Sequence, residues 1–190
     1  MNQIKLTISN LENHAQLHDN SCIPMSIETI LKLENIIDAK SFPYQNDFNK
    51  HGRNEWITSI TPASLGRKII FKKQYSDFAS ERSRDKAEKT VDAFFETIEE
   101  EITKGRYVII SLFSGFDKYG NKLYHMYIIY GISNGNYDYF TFRKYGNFKD
   151  FPNSDLKQIY LDMEGTDIIT YEVEVTLPRT FKGYSGVARS

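Results

Sequence analysis

Apolar residues recur at helical spacing in two stretches of the chain and alternate, or run together, in several others. In PMSIETILKLE, Ile27, Ile30 and Leu31 repeat on one helix face behind Ser21, Cys22 and Pro24, residue types that suit a helix start. The spacing predicts a helix that begins near Pro24 and carries Cys22 at its N-terminus. From Ser83 to Lys104, Val91, Phe94, Phe95, Ile98 and Ile102 form a second apolar stripe, and Gly105 follows as a stop. Glu99, Glu100 and Glu101 then belong to the solvated face of that amphipathic helix. RKIIFKKQY reads as a short strand with basic edges, and RYVIISLF as a short apolar run of strand character followed by a polar turn, FDKYGNK. YHMYIIYGI and YDYFTFRKY are two strands joined around Asn134-Gly135, a pair that tolerates positive φ and so signals a tight hairpin. ITYEVEVTLP alternates and predicts one more strand with a wet face. Phe42 to Pro62 is rich in Asn, Asp, Gly and Pro and reads as loop, with Trp56 folded back onto the body. Helices early and strands late predict an α+β fold with a mostly antiparallel sheet.

Composition adds limits. A chain of 190 residues with a 40% hydrophobic fraction suits a single domain over residues 1–190 with a real core. Thirteen Tyr and thirteen Phe favour a substantial sheet. The formal net charge of -1 gives no overall attraction to nucleic acid or an anionic membrane. With one cysteine, no internal disulfide forms. The N-terminus lacks the apolar run of a secretory signal, and no stretch approaches the roughly 18 apolar residues of a membrane span. These features predict a chain that is cytoplasmic as synthesised, with export by a signal-independent route left open.

The lone cysteine carries the candidate chemistry. A helix N-terminus brings free N–H groups and partial positive charge, which favour a thiolate. Gln16 stands six residues before Cys22, where an amide can reach round to an oxyanion. His125 opens an apolar strand directly after a polar turn, which places an imidazole at the rim of a sheet as a possible base. His14, His18 and His51 lie in segments that read as loops with solvated imidazoles. His14, His18, Asp19 and Cys22 are all of metal-ligand type, but their spacing is poor and the chain has no second cysteine pair, so no metal is expected.

QLHDNSCIPMSIETILK, followed about a hundred residues later by KGRYVIISLF and YHMYIIYGI, resembles the papain-like cysteine peptidases, and among them the bacteriocin-processing, double-glycine peptidase branch. The likeness rests on Gln16, Cys22, Pro24, the Lys104-Gly105 pair before Val108, His125 and Gly131, and runs in pieces from Gln16 to Phe142. It implies a helix carrying Cys22 packed on a sheet carrying His125. It also implies a thiol hydrolase cleaving a peptide or amide bond of a peptide or protein substrate, without a cofactor. Cys22 would attack, His125 would shuttle the proton, and Gln16 and the Cys22 N–H would hold the oxyanion.

The chain departs from that pattern at two places. Ile23 stands where the family has Gly. The acid or amide that orients the imidazole, expected 17 residues past the histidine, is replaced by Phe142; Asn147 and Asp138 are the alternatives, with Asn147 better placed just past the strand end. Acyltransferases and host-directed effector proteases use the same acyl-enzyme. A catalytically silent binding module on the same scaffold also fits Ile23 and Phe142.

Overall fold

The computed structural model describes residues 3–51, 59–60, 67–75, 84–144 and 147–175. Among these, the order is β1 (Ile4–Lys5), α1 (Cys22–Leu33), α2 (Pro43–His51), β2 (Ser59–Ile60), β3 (Arg67–Tyr75), α3 (Arg84–Thr103), β4 (Val108–Phe116), β5 (Lys122–Ser133), β6 (Asn136–Arg143), β7 (Asn147–Ser154), α4 (Leu156–Asp162) and β8 (Asp167–Val175). The expected α+β class with a mostly antiparallel sheet is what the chain forms. The eight-stranded sheet runs β2-β3-β8-β4-β5-β6-β7, with β1 added on β5. Among the described residues its ladders are antiparallel, and the one parallel contact is an isolated bridge between Gln16 and Lys144.

Helices cover both faces of this sheet, which is why β4 has no alternation: Val108, Ile109, Ile110, Ser111 and Leu112 are all buried. On one face α1 packs Met25, Ile27, Ile30 and Leu31 against Ile109, Met126, Ile128, Tyr130 and Phe140. On the other, Val91, Phe95, Ile98 and Ile102 of α3 and Tyr160 of α4 pack against Val108, Ile110, Tyr127, Ile129 and Tyr139. β8 was expected to have a wet face. It lies between β3 and β4, so Asp167 to Tyr171 are buried, and exposure rises only from Glu172 on. The Asn134-Gly135 hairpin forms as read, with φ of 50° and 78° at its two turn residues.

Part of the segment expected to be loop is helical. Pro43–His51 forms α2 because its first turn sits on the buried carboxylate of Glu28, whose Oε1 accepts from the N–H of Tyr44 at 2.8 Å and of Gln45 at 3.0 Å. A proline in the first turn and an anion at the N-terminus are the two aids a short helix needs, and the anion comes from α1, far away in sequence. Trp56 lies outside the described residues.

His14 is a second correction. It is buried, not solvated, with its ring stacked on Phe42 and edge-on to Phe142. Nδ1 lies 3.0 Å from Lys32 Nζ and so accepts, which leaves the proton on Nε2, against Thr29 Oγ1 at 2.8 Å and Met25 O at 3.2 Å. Burial and the Lys32 charge pull its pKa down to about 3. Lys32, itself buried, sits 3.8 Å over the Phe42 ring.

Glu28→Ala is expected to lower the unfolding free energy by about 3–5 kcal/mol, the scale of a buried ionic network losing one member. Asp47→Ala, which removes only an exposed contact to His51, should leave the urea midpoint nearly unchanged. Acid adds a second expectation. The folded chain keeps His14 neutral down to about 3 while an unfolded histidine takes its proton near 6.5, so stability falls as pH drops through that window. His14→Gln should flatten the decline between pH 6.5 and 4.5 in urea titrations.

Candidate active site

Cys22 is the first residue of α1, two residues earlier than the pattern around Pro24 suggests. Ser21, the N-cap, does not cap the helix with its side chain. Its hydroxyl lies 2.8 Å from His18 O and 3.0 Å from Gln45 Oε1 instead. The N–H groups of Cys22 and Ile23 therefore stay free to face the sulfur, and the N–H of Met126 joins them from β5. Sγ lies 3.9 Å from Tyr124 O, as a thiol donor does. The sulfur thus meets the main chain of β5 on both sides of His125. Cys22 is only 9% exposed, and burial pushes its pKa up against the lowering pull of those three N–H groups. The expected depression by the helix N-terminus is outweighed by desolvation, which disfavours the charged form.

His125 sits in β5 in phase with Tyr127, its ring edge-on to the Tyr127 ring at 5.5 Å. Nε2 is 2.8 Å from Thr141 Oγ1 and 3.2 Å from Phe142 O. Thr141 Oγ1 gives its own proton to Met126 O at 2.7 Å, so toward the imidazole it can only accept. Both neighbours of Nε2 are acceptors, Nε2 carries the proton, and Nδ1 is the basic nitrogen, with no hydrogen-bond partner among the described residues. Burial and the nearby Arg143 charge lower the His125 pKa, while the Phe142 carbonyl acts to raise it.

The orienting hydroxyl comes from a residue that the 17-residue spacing misses, and a β-bulge explains why. From the turn, β5 and β6 pair Ser133 with Asn136 and Gly131 with Asp138; past the register shift between Ile129 and Gly131 they pair Ile129 with Tyr139 and Ile128 with Phe140. Continuing that second register puts Tyr127 opposite Thr141 and His125 opposite Arg143. The first register would have set His125 opposite Lys144, with Phe142 diagonal to it. One extra residue at Tyr130 thus turns Thr141 and Arg143 to the His125 face and sends the Phe142 ring to the other, against His14.

Gln16 and His125 line one cleft of about 280 Å³ together with Ser114, Tyr127, Arg143 and Lys144. The Gln16 amide is turned onto His18 O at 3.0 Å. Lys144, bridged to Gln16 through the main chain, pairs with Asp19 at 2.8 Å. Asn147 opens β7 opposite Arg143, which sets its backbone at this end of the sheet; its side chain lies outside the described residues. Asp138 is tied to the N–H of Asn153 at 3.0 Å and lies 3.5 Å from Lys5. It pairs with Gly131, six residues along β5 from His125, or roughly 20 Å of strand. It does not reach the imidazole. His14 is turned toward Lys32, Thr29 and Met25, so the His14, His18, Asp19 and Cys22 set is not assembled.

The fold therefore brings the Cys22 sulfur to the main chain of Tyr124 and Met126, on either side of His125, and Gln16 to the cleft His125 lines; among the described residues no hydrogen bond joins the sulfur to the imidazole, and Cys22 does not line that cleft. Thr141 and Arg143 are the neighbours sequence reasoning missed; the sign of them was the odd-numbered phase shared with His125 once a bulge is allowed. No family model matches the chain, and no curated protein matches it.

Iodoacetamide is expected to modify Cys22 slowly at pH 7 in the native protein, with a rate still rising above pH 9 because the thiol titrates above its usual range. In urea the same thiol should follow an ordinary pH profile. Equal fast rates at pH 6 and pH 8 in the native state would show a preformed thiolate instead.

Proposed function

We propose that the chain is a papain-like thiol hydrolase acting on a peptide or amide bond through an acyl-enzyme on Cys22. The observation that carries this reading is the meeting of the Cys22 sulfur, at a helix N-terminus, with the strand segment whose His125 has its Nε2–H committed to Thr141 and Phe142. Such an imidazole is oriented and neutral, and its free Nδ1 suits a general base.

Because burial keeps both groups uncharged at rest, the proton moves as the bond forms. Sulfur attacks the carbonyl carbon while its proton passes to His125 Nδ1, a transfer that requires the imidazole to turn toward the sulfur, whose thiol at rest lies against Tyr124 O; the pair then works as a hydroxyl–histidine pair does and not as a standing thiolate–imidazolium. The oxyanion is received by the Cys22 N–H and by the Gln16 amide once that amide leaves His18 O. His125 returns the proton to the leaving amine, which departs and leaves a thioester. Water, deprotonated by the same nitrogen, then cleaves the thioester and restores the thiol. No step calls on a cofactor, and an acceptor other than water would make the same intermediate a transferase.

A catalytically silent binding module is favoured by two observations: the 9% exposure of Cys22 and the engagement of the Gln16 amide with a backbone carbonyl. The two readings part on one experiment, in which an unbiased peptide library is incubated with the protein and new termini are read by mass spectrometry. The hydrolase gives cleavages that vanish in Cys22→Ala and His125→Ala, and a peptide thioester acylates Cys22 in the intact mass. Gln16→Ala should cut turnover roughly 10–1000-fold, the cost of one oxyanion donor, while leaving Cys22 alkylation unchanged. Cleavage that persists in Cys22→Ala sinks the mechanism. No cleavage, together with alkylation rates that are identical in wild type and His125→Ala, leaves the binding module.

A further inference from the structure

The cleft beside His125 holds more positive charge than the hydrolytic steps use. Arg143 is exposed, and its guanidinium lies near the Tyr127 hydroxyl, with both side chains lining the cleft. Tyr127 is itself buried, and its ring is held among His125 at 5.5 Å, Tyr139 at 5.8 Å and Phe151 at 5.9 Å. A rigid phenol thus stands beside the guanidinium and leaves its N–H donors for another acceptor. No carboxylate among the described residues pairs with Arg143. Lys144, by contrast, is already paired with Asp19. A planar fork with free donors at the wall of a cleft matches a carboxylate in two-point contact.

We propose that this cleft is a subsite for a peptide carboxylate next to the scissile bond, with Arg143 as the group that binds it and Tyr127 as the residue that positions Arg143. The proposal rests on reading the His125 cleft as the substrate site, and it makes acidic peptides the substrate class. It also links recognition to chemistry. Among the described residues, the charged and titratable groups that line the cleft with the imidazole are Arg143, Tyr127 and Lys144, the last paired with Asp19. Of these, Arg143 holds the His125 pKa down by its charge, alongside burial. A bound carboxylate offsets that charge and makes Nδ1 a stronger base when substrate is present.

The test uses the 190-residue chain with Cys22→Ala and three N-acetylated pentapeptides, the first two also amidated at the C-terminus, followed through the imidazole signals of His125 by NMR. One has a central Asp, one a central Asn, and one the central Asn with a free C-terminal carboxylate. The expected result is at least tenfold tighter binding of one or both carboxylate peptides than of the neutral one, and the tighter of the two identifies a side-chain or terminal carboxylate as the ligand. Arg143→Gln should abolish that preference. Tyr127→Phe should shrink the ratio between carboxylate and neutral peptide affinities, a selective effect that a merely structural hydroxyl would not produce. Should Arg143→Gln fail to fold, the wild-type comparison among the three peptides still decides. Equal affinities, no binding at millimolar peptide, or a preference that survives Arg143→Gln overturns the subsite. Failure of the hydrolase reading looks different: carboxylate-selective binding without any Cys22-dependent cleavage. Cys22-dependent cleavage with no enrichment of Asp or Glu near the cut, and equal peptide affinities, would remove the subsite and spare the enzyme.

Discussion

The side-chain amide of Gln45 joins three pieces of chain that would otherwise have no fixed relation. Its Oε1 accepts from the N–H of Leu17 at 2.8 Å and lies 3.0 Å from the Ser21 hydroxyl, while its Nε2 donates to Ala15 O at 3.0 Å and to Glu28 Oε2 at 2.7 Å. Residues 15 to 21, the start of α1 and the first turn of α2 are thereby locked together. The places of Gln16 and Cys22 both depend on that lock. Burying so many polar groups is costly unless each is satisfied, and here the satisfaction is mutual. Desolvation raises the Glu28 pKa, and the donors from Gln45 and Tyr44 and the charge of Lys32 act against the rise. Lys32 is pulled in the opposite direction, to about 8, by the same burial. A hydrophobic contact could hold α2 to α1 equally tightly, but only directional bonds set the angle at which the cysteine's helix begins.

Dryness decides how the candidate site would work. A sulfur at a helix N-terminus receives three N–H groups, yet burial outweighs them, and the imidazole is likewise held neutral. Both groups rest uncharged because each charged form would lose more hydration than the local dipoles return. Such a pair needs a trigger, and the nearest one on the structure is the Arg143 charge. It opposes imidazolium formation, and an anion bound to it would offset that opposition. Substrate charge would then enter the rate and not only the affinity.

Much of the framework was legible because it follows from local periodicity. The apolar spacing of Ile27, Ile30 and Leu31, the stripe from Val91 to Ile102 and the Asn134-Gly135 turn each specify their elements within a dozen residues. What was not legible depends on partners distant in the chain. α2 carries few apolar residues and is held at its N-terminus by Glu28, so its segment looks like loop. β7, in NFKDFPNS, contains a proline and little alternation and is ordered by pairing with β6 at the sheet edge. His14 looks like a loop histidine until Phe42, Phe142 and Lys32 close around it. Cys22, His125 and Gln16 could be singled out from their types and order, whereas the burial that raises the thiol pKa could not.

The bulge at Tyr130 shows why spacing from a family pattern fails in this hairpin. Side chains on a strand alternate, so the residues able to touch His125 from β6 form one parity class, and that class is set by the count of residues through the turn. A two-residue turn alone puts even-numbered β6 residues on the His125 face. One extra residue in β5 exchanges the classes, which replaces Phe142 and Lys144 by Thr141 and Arg143. An aromatic ring at the +17 position is then no defect, since that side chain points away and only its carbonyl still serves the imidazole. The same shift brings Arg143 to the cleft. A hydroxyl that accepts from His125 Nε2 and a guanidinium at the wall of the same cleft thus arrive together, as two consequences of one inserted residue.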